Sequence, residues 1–128
     1  MKDPAILEAA YDDSQGVTAE FNRNVLRVLN RELDADFDVE AFEHVAFFDR
    51  QHEWIEMRLR ATRRMTATVG ALDLRVEFAP REELRTEISA KFTPARLAGD
   101  LAAAGLTLEQ MLTDDDGLFA LSLSTPSG

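Results

Sequence analysis

The stretch WIEMRLRA, residues 54–61, alternates apolar and charged side chains over most of its length. Because successive side chains of a strand point to opposite faces, this period of two predicts a β-strand with one apolar and one charged face. The apolar face comprises Ile55, Met57, Leu59 and Ala61. The charged face comprises Glu56, Arg58 and Arg60. We expect this charged face to be wet, and cross-strand charge pairing explains most of it without any function.

Four further segments around this one show strand character: residues 44–49, 65–69, 72–78 and 84–92. The connections between the five segments are short enough for hairpins, so we expect an antiparallel meander. Within residues 72–78, one face is predicted to carry Leu72, Leu74, Val76 and Phe78.

Two helical segments precede the strands. Asp3 as a cap and Pro4 as a first residue predict a short helix that ends at about Tyr11. A longer helix is predicted over residues 17–33. Its apolar stripe comprises Val17, Phe21, Val25, Val28, Leu29 and Leu33. The residues expected on its solvated face are Asn22, Arg23, Arg27 and Arg31.

After residue 92 the pattern becomes helical again. Thr93 is suited to cap a helix that starts at Pro94, and Gly105 is suited to end it. The predicted buried side of this helix comprises Leu97, Ala98, Leu101 and Ala102. LTLEQMLT and LFALSLS flank the turn sequence DDDG and predict a closing β-hairpin. Because a lone two-stranded hairpin is marginal in water, we expect this part to complete a larger sheet.

Composition narrows the classes of function. The chain has 128 residues, 45% of them hydrophobic, which predicts a globular fold with a real core. Its net charge of -10 argues against nucleic acid or an anionic membrane surface as a partner. No segment has the apolar length of a signal peptide or of a membrane span, so we expect a soluble, cytoplasmic protein. Without cysteine there is neither a disulfide nor a thiolate site.

The segment LRTEISAKF, residues 84–92, carries the most suggestive chemistry. Strict alternation places Glu87 and Ser89 about 7 Å apart on one face, opposite Leu84, Thr86 and Ile88. A solvent-facing edge would explain this pair. A pocket for a neutral imidazole would also explain it, since a carboxylate can accept the ring N–H while a hydroxyl donates to the bare nitrogen.

Other reactive groups are sparse. His44 and His52 are the only histidines, and neither has metal-ligand spacing, so we expect both to be structural and predict no metal site. No nucleophile elbow, Walker loop or GxGxxG motif occurs in the sequence.

The segments AAYDDSQGVTAEFNRNVLRVLNRELDADFDVEAFEHVAFFD and EELRTEISAKFTP resemble the C-terminal half of the histidine-specific, S-adenosylmethionine-dependent methyltransferases. The resemblance implies an enzyme that converts histidine to its N-α-trimethyl betaine, the first step toward ergothioneine. It also implies an α+β fold. Residues 1–91 would be the later part of a histidine-binding substrate domain with helices and an antiparallel sheet. Residues 92–128 would be the last helix and two strands of a Rossmann-like methyltransferase domain.

Carried over residue by residue, the resemblance implies a histidine-binding site. The implied substrate-binding residues are Tyr11, Thr18, Met57, Glu87, Ile88 and Ser89. Glu87 and Ser89 would hold the imidazole, Tyr11 the substrate carboxylate, and Met57 and Thr18 would line the pocket. Catalysis would proceed by positioning the substrate amine for attack on the sulfonium methyl group, with no catalytic side chain assigned, no covalent intermediate and no metal.

The family's glycine-rich cofactor loop and ribose-binding acidic residue would lie upstream of this chain. We therefore expect a truncated product, a split-enzyme half or a fragment that is inactive by itself and needs a separate N-terminal half. The alternative is a non-catalytic module that binds an amino acid or associates with its own copy through the exposed sheet.

Overall fold

The computed structural model describes residues 3–128, which divide into two compact units. The larger unit comprises residues 3–90 and the smaller unit residues 91–128. The larger unit contains helices α1 (Pro4–Tyr11) and α2 (Val17–Glu32) and strands β1 (Phe42–Asp49), β2 (Trp54–Ala61), β3 (Met65–Val69), β4 (Leu74–Phe78) and β5 (Glu83–Ala90). Short 3₁₀ turns span Val39–Ala41 and Gly70–Leu72. This α+β content agrees with the sequence-based expectation.

Side-chain caps set the starts of both helices in the larger unit. The Asp3 carboxylate accepts a hydrogen bond from the Ala5 N–H at 2.8 Å, and Pro4 occupies the first turn of α1, as predicted. At the start of α2 the Asp13 carboxylate accepts hydrogen bonds from the N–H groups of Val17 and Thr18, at 3.0 and 2.8 Å. Asp13 thus pairs two of the backbone donors that a helix start leaves unsatisfied.

The buried face of α2 differs from the predicted stripe. Leu26 is completely buried and Asn22 is 3% exposed, whereas Val17 and Phe21 are each 65% exposed and Val25 is also exposed. Leu29 and Leu33 pack against the core, as predicted. The prediction is wrong for the first half of the stripe because Asn22, expected on the solvated face, has hydrogen-bond partners on the sheet. These partners turn the helix so that the row through Asn22 and Leu26 faces inward.

The five strands form where predicted to within two residues, but the predicted meander is wrong. β1, β2 and β5 form an antiparallel sheet in the order β1-β2-β5, while β3 and β4 form a separate hairpin. Ala61, at the end of β2, exchanges backbone hydrogen bonds of 2.8 Å with Arg81 and Glu82. The chain leaving β4 is therefore drawn back to β2, and β5 pairs with β2 instead of β4.

A β-bulge in β5 changes which side chains share a face. Met57 pairs with Glu87, but the next pair is Arg58 with Arg85, so Thr86 is the extra residue. Leu84 pairs with Leu59 and therefore lies on the same face as Glu87. The prediction that Leu84 and Thr86 lie opposite Glu87 by strict alternation is wrong, since the bulge shifts the phase by one residue.

The core lies between the helices and one face of the sheet. Ile55, Met57, Leu59 and Ala61 are all buried, which confirms the predicted apolar face of β2. One cluster joins Leu26, Leu59 and Phe42 to the β3–β4 hairpin, where Phe42 and Phe78 meet edge to face at 5.3 Å between ring centroids. A second cluster joins Leu7 of α1 to Ile55 and Met57. In β4 only Phe78 is fully buried and Leu74 is exposed, so the predicted apolar face there is only partly correct.

The opposite face of the sheet carries charges, as predicted, but it is not uniformly wet. Glu56 is 3% exposed, which contradicts its expected place on a wet face. Its carboxylate accepts hydrogen bonds from Arg58 at 2.5 Å and from the Trp54 indole at 3.0 Å. Glu83 pairs with both Arg58 and Arg60 across the strands, at 2.7 and 2.6 Å. The predicted cross-strand charge pairing is therefore confirmed.

The smaller unit contains helix α3 (Pro94–Ala103) and a hairpin of β6 (Leu106–Thr113) and β7 (Ala120–Pro126). Thr93 caps α3 by accepting from the Arg96 N–H, and Gly105 follows the helix with φ +74°. Both elements were predicted. All residues of this unit are exposed or half-buried, including Ala102 of the predicted buried side. None of the helices within residues 3–128 is long and apolar enough to cross a membrane.

Candidate functional site

Tyr11 and Ser89 meet at the helix-covered face of the sheet. Tyr11 ends α1, and Leu7 anchors that helix on β2 by packing against Ile55 and Met57. The Tyr11 hydroxyl lies 2.8 Å from the Ser89 hydroxyl, so a hydrogen bond joins residues 78 positions apart in the sequence. The fold therefore brings together two of the residues that the resemblance assigned to a substrate site.

Glu87 lies on the same strand face as Ser89, two residues away. It is exposed, and within residues 3–128 its carboxylate has no recorded hydrogen bond or ion pair. A surface cavity of about 210 Å³ lies beside it, between α2 and β5. The cavity is lined by Phe21, Asn22, Asn24, Val25, Thr86 and Glu87. It is smaller than the roughly 300–1,000 Å³ of sites for drug-sized ligands, which suits a small ligand.

The remaining assigned residues take different places. Met57 is buried and pairs with Glu87 across the strands, so the two side chains lie on the same face of the sheet, although Met57 does not line the cavity. Thr18 is half-buried in the first turn of α2, where its N–H donates to Asp13. Ile88 pairs with Glu56 and is 46% exposed, so its side chain points away from the face that Glu87 and Ser89 share. The structure thus groups Tyr11, Met57, Glu87 and Ser89, and leaves the Ile88 side chain outside the group.

Sequence reasoning missed a buried polar cluster beside these residues, formed by Asn22, His44 and Thr86. The Asn22 amide reaches the His44 Nδ1 atom at 2.9 Å, and its oxygen accepts from the Thr86 hydroxyl at 2.5 Å. Two features of the sequence could have predicted these positions. Asn22 stands four residues before Leu26 and so lies on the same side of α2, and His44 alternates with Phe42 and Ala46 on the apolar face of β1. His44 is half-buried and His52 is exposed, in agreement with the structural role expected for both.

Hydrogen bonds and charge pairs lower the pKa of several carboxyl groups around the site. The N–H groups of Thr18 and Val17 lower the pKa of Asp13 from 3.8 to about 2. On the charged face, burial acts to raise the pKa of Glu56, but hydrogen bonds from Arg58 and Trp54 outweigh it and leave the pKa below its usual 4.5. Arg58 and Arg60 likewise lower the pKa of Glu83. Glu56 and Glu83 lie on the face of the sheet opposite Glu87, and Glu87 is the carboxylate that lines the cavity.

The grouped side chains comprise one carboxylate, two hydroxyls and the buried Met57. This set can accept an N–H group and donate to a bare ring nitrogen, as a neutral imidazole requires. It does not resemble a metal centre: no three His, Asp or Glu side chains lie close enough together, anywhere in residues 3–128, to hold a metal ion.

Comparison with known proteins identifies close relatives. The family model described as histidine-specific methyltransferase, SAM-dependent, matches residues 1–126. The chain is 56% identical over 124 residues to a histidine N-alpha-methyltransferase of Mycobacterium tuberculosis (strain CDC 1551 / Oshkosh). It is 54% identical over 124 residues to a histidine N-alpha-methyltransferase of Mycolicibacterium smegmatis. Each match covers 97% of this chain but only 39% of the relative, so the chain spans well under half the length of either protein.

Proposed function

Since the chain belongs to the family of histidine-specific, SAM-dependent methyltransferases, we propose that it supplies the part of such an enzyme that holds the substrate histidine. The observation that carries the proposal is the meeting of Tyr11 and Ser89 beside the exposed carboxylate of Glu87. The reaction would be N-α-methylation of histidine, as the names of both relatives state for those proteins.

Each side chain of the group has a role in this proposal. The Glu87 carboxylate accepts the imidazole N–H, and the Ser89 hydroxyl donates to the other ring nitrogen. Tyr11 turns to the substrate carboxylate when that group arrives, and Met57 closes the apolar side. Thr18 and the backbone around Ile88 complete the proposed binding residues.

These residues would act by positioning. A histidine held by its ring presents its amine in a fixed direction, and fixing a reactant in this way can supply several kcal/mol of the barrier reduction, on the order of 7–11 kcal/mol in well-oriented systems. S-adenosylmethionine, when bound, would supply the methyl group. We assign its binding to the part of the relatives that this chain does not span.

The test is calorimetric titration of histidine into the chain, alone and together with the remaining part of a relative. We expect Glu87→Ala to weaken binding by about 10-fold or more, since a hydrogen bond to a charged group contributes about 1.5–3 kcal/mol. Glu43→Ala is the matched control, because Glu43 is an exposed glutamate on the opposite face of the sheet. Unchanged affinity in Glu87→Ala would refute the role of Glu87.

A second candidate is an interaction module without catalytic activity. The hairpin of the smaller unit favours it, because Leu121 and Leu123 are each 59% exposed and Phe119 is 68% exposed. Exposed apolar side chains in a row are typical of a surface that another chain covers. The occupant would be a separate N-terminal half or a second copy of this chain. Methylation by the purified chain alone would exclude this candidate, whereas activity that requires a co-expressed N-terminal half would support a split enzyme.

Ergothioneine synthesis follows from the family resemblance alone, and a cytoplasmic location from the apolar pattern of the sequence; both stay predictions. So do the assignment of the two units to a substrate domain and a Rossmann-like domain, and the inactivity of the isolated chain.

A further inference from the structure

Asn22 uses every polar atom of its side chain inside the protein. The residue is 3% exposed. Its amide nitrogen lies 3.1 Å from the backbone carbonyl of Arg58 and 2.9 Å from His44 Nδ1, and its oxygen lies 2.5 Å from the Thr86 hydroxyl. Three different strands thus converge on one helix side chain.

The Arg58 carbonyl fixes the orientation of this amide. A carbonyl oxygen can only accept, so the atom facing it must be the NH₂ group of Asn22. The second proton of that NH₂ group then points to His44 Nδ1, which must carry a lone pair. The proton of a neutral His44 ring is therefore on Nε2, and it is donated to the backbone carbonyl of Tyr11 at 2.7 Å.

Tyr11 is consequently held at both ends. Its carbonyl accepts from His44, and its hydroxyl bonds Ser89. The His44 tautomer decides the first of these contacts, because a ring protonated only on Nδ1 could not donate to Tyr11. Asn22 selects that tautomer from the other side of the ring.

The same amide supports the bulge in β5. A bulge interrupts the ladder of backbone hydrogen bonds, and here the carbonyls of Met57 and Arg58 accept from side chains, those of Thr86 and Asn22. The single proton of the Thr86 hydroxyl is shared between the Met57 carbonyl at 3.0 Å and the Asn22 oxygen at 2.5 Å. These bonds hold Thr86 as the extra residue, and that register places Glu87 and Ser89 on the face of Met57.

We propose that Asn22 is a positioning residue that sets both halves of the binding group: Tyr11 through the His44 tautomer, and Glu87 with Ser89 through the Thr86 bulge. The expected effect of Asn22 on ligand affinity rests on the proposed histidine binding. The His44 tautomer and the register of β5 do not depend on that proposal, since they are properties of the chain without ligand. The polar atoms of Asn22 bond His44, Arg58 and Thr86, none of which belongs to the binding group, so Asn22 sets the group through these neighbours.

Nuclear magnetic resonance of the full chain tests the proposal directly. In the unmodified chain we expect an unprotonated Nδ1 signal and a protonated Nε2 signal for His44, and a cross-strand contact between Met57 and Glu87. Asn22→Asp keeps the shape but replaces both donors by an acceptor, so Nδ1 should become protonated and the Met57–Glu87 contact should weaken. The exposed His52 provides an internal reference.

Two variants at Thr86 keep the test decisive if Asn22→Asp fails to fold. Thr86→Val removes the hydroxyl and should weaken the Met57–Glu87 contact while the His44 tautomer persists. Thr86→Ser retains the hydroxyl and should restore the unmodified pattern. Gln15→Glu is the control for charge, because it adds one negative charge at an exposed position and should change neither signal. A protonated Nδ1 in the unmodified chain would overturn the proposal, as would an intact register in Thr86→Val.

Histidine titration then separates this inference from the proposed function. We expect Asn22→Asp and Thr86→Val to weaken histidine binding about 10-fold, with Thr86→Ser unaffected. Equal affinity in all of these variants would overturn the positioning role. If Glu87→Ala has no effect while the tautomer and register respond as expected, the histidine assignment fails and the structural role of Asn22 stands.

Discussion

The larger and the smaller unit form their helices and strands equally well, but they bury very different amounts of apolar surface. Every fully buried apolar side chain among residues 3–128 lies in the larger unit. In the smaller unit, capping residues and glycine turns shape α3 and the hairpin, while leucines such as Leu121 remain exposed. Local signals are therefore enough to specify the elements of both units, whereas among the described residues only the larger unit has a fully buried apolar core.

The largest loss of stability is expected from Leu59→Ala, in the core of the larger unit. Leu59 is completely buried between α2 and the β3–β4 hairpin, so truncation removes apolar contacts and leaves a cavity. We expect the free energy of unfolding to fall by about 2–5 kcal/mol. Urea denaturation followed by tryptophan fluorescence measures it, because the single Trp54 lies on the same strand. A loss below about 1 kcal/mol would mean that the core of the larger unit is loosely packed.

The charged face of the sheet in the larger unit should contribute a smaller, pH-dependent part of the free energy of unfolding. Glu56→Gln removes a buried charge that Arg58 and Trp54 hold, and we expect a loss of about 1–3 kcal/mol at neutral pH. Because the pKa of Glu56 is lowered on folding, its stabilisation is complete above the usual 4.5 and is lost as pH falls through the folded pKa. The difference between the variant and the unmodified chain should therefore shrink in acid.

The control for that experiment lies on the same face of the sheet. Glu43 pairs with Arg60 in the register of β1 and β2, but it is exposed. Glu43→Gln should change the free energy of unfolding by less than about 0.5 kcal/mol, as is usual for surface positions. Equal losses in both variants would show that overall charge, and not the buried pairing of Glu56, stabilises this face.

The features that were predicted from the sequence are local ones. Asp3 and Thr93 cap helices because each needs only the N–H groups of the next turn, and Gly105 ends α3 because its own backbone adopts positive φ. The alternation in β2 predicted its buried face because β2 is regularly paired on both edges up to Met57. Such signals lie within a few residues of the element that they define.

The features that were missed depend on distant residues. The inward turn of α2 depends on the bonds from Asn22 to His44 and Arg58, which lie 22 and 36 positions away. The bulge at Thr86 could not be predicted from the sequence of β5, which alternates regularly, because a bulge is defined by how two strands pair. For the candidate site, the resemblance supplied Tyr11, Glu87 and Ser89, and the structure adds the hydrogen bond between Tyr11 and Ser89.

The smallest effect is expected where the smaller unit is most exposed. Leu123 is 59% exposed on β7, so Leu123→Ala removes little buried surface. We expect the free energy of unfolding to change by no more than about 0.5 kcal/mol, measured by urea denaturation at several protein concentrations. A loss above about 1 kcal/mol that grows with concentration would show that a second copy covers the hairpin, because association stabilises the folded state by mass action. In that case the contrast between the two units would hold for the isolated chain but not for the assembled one.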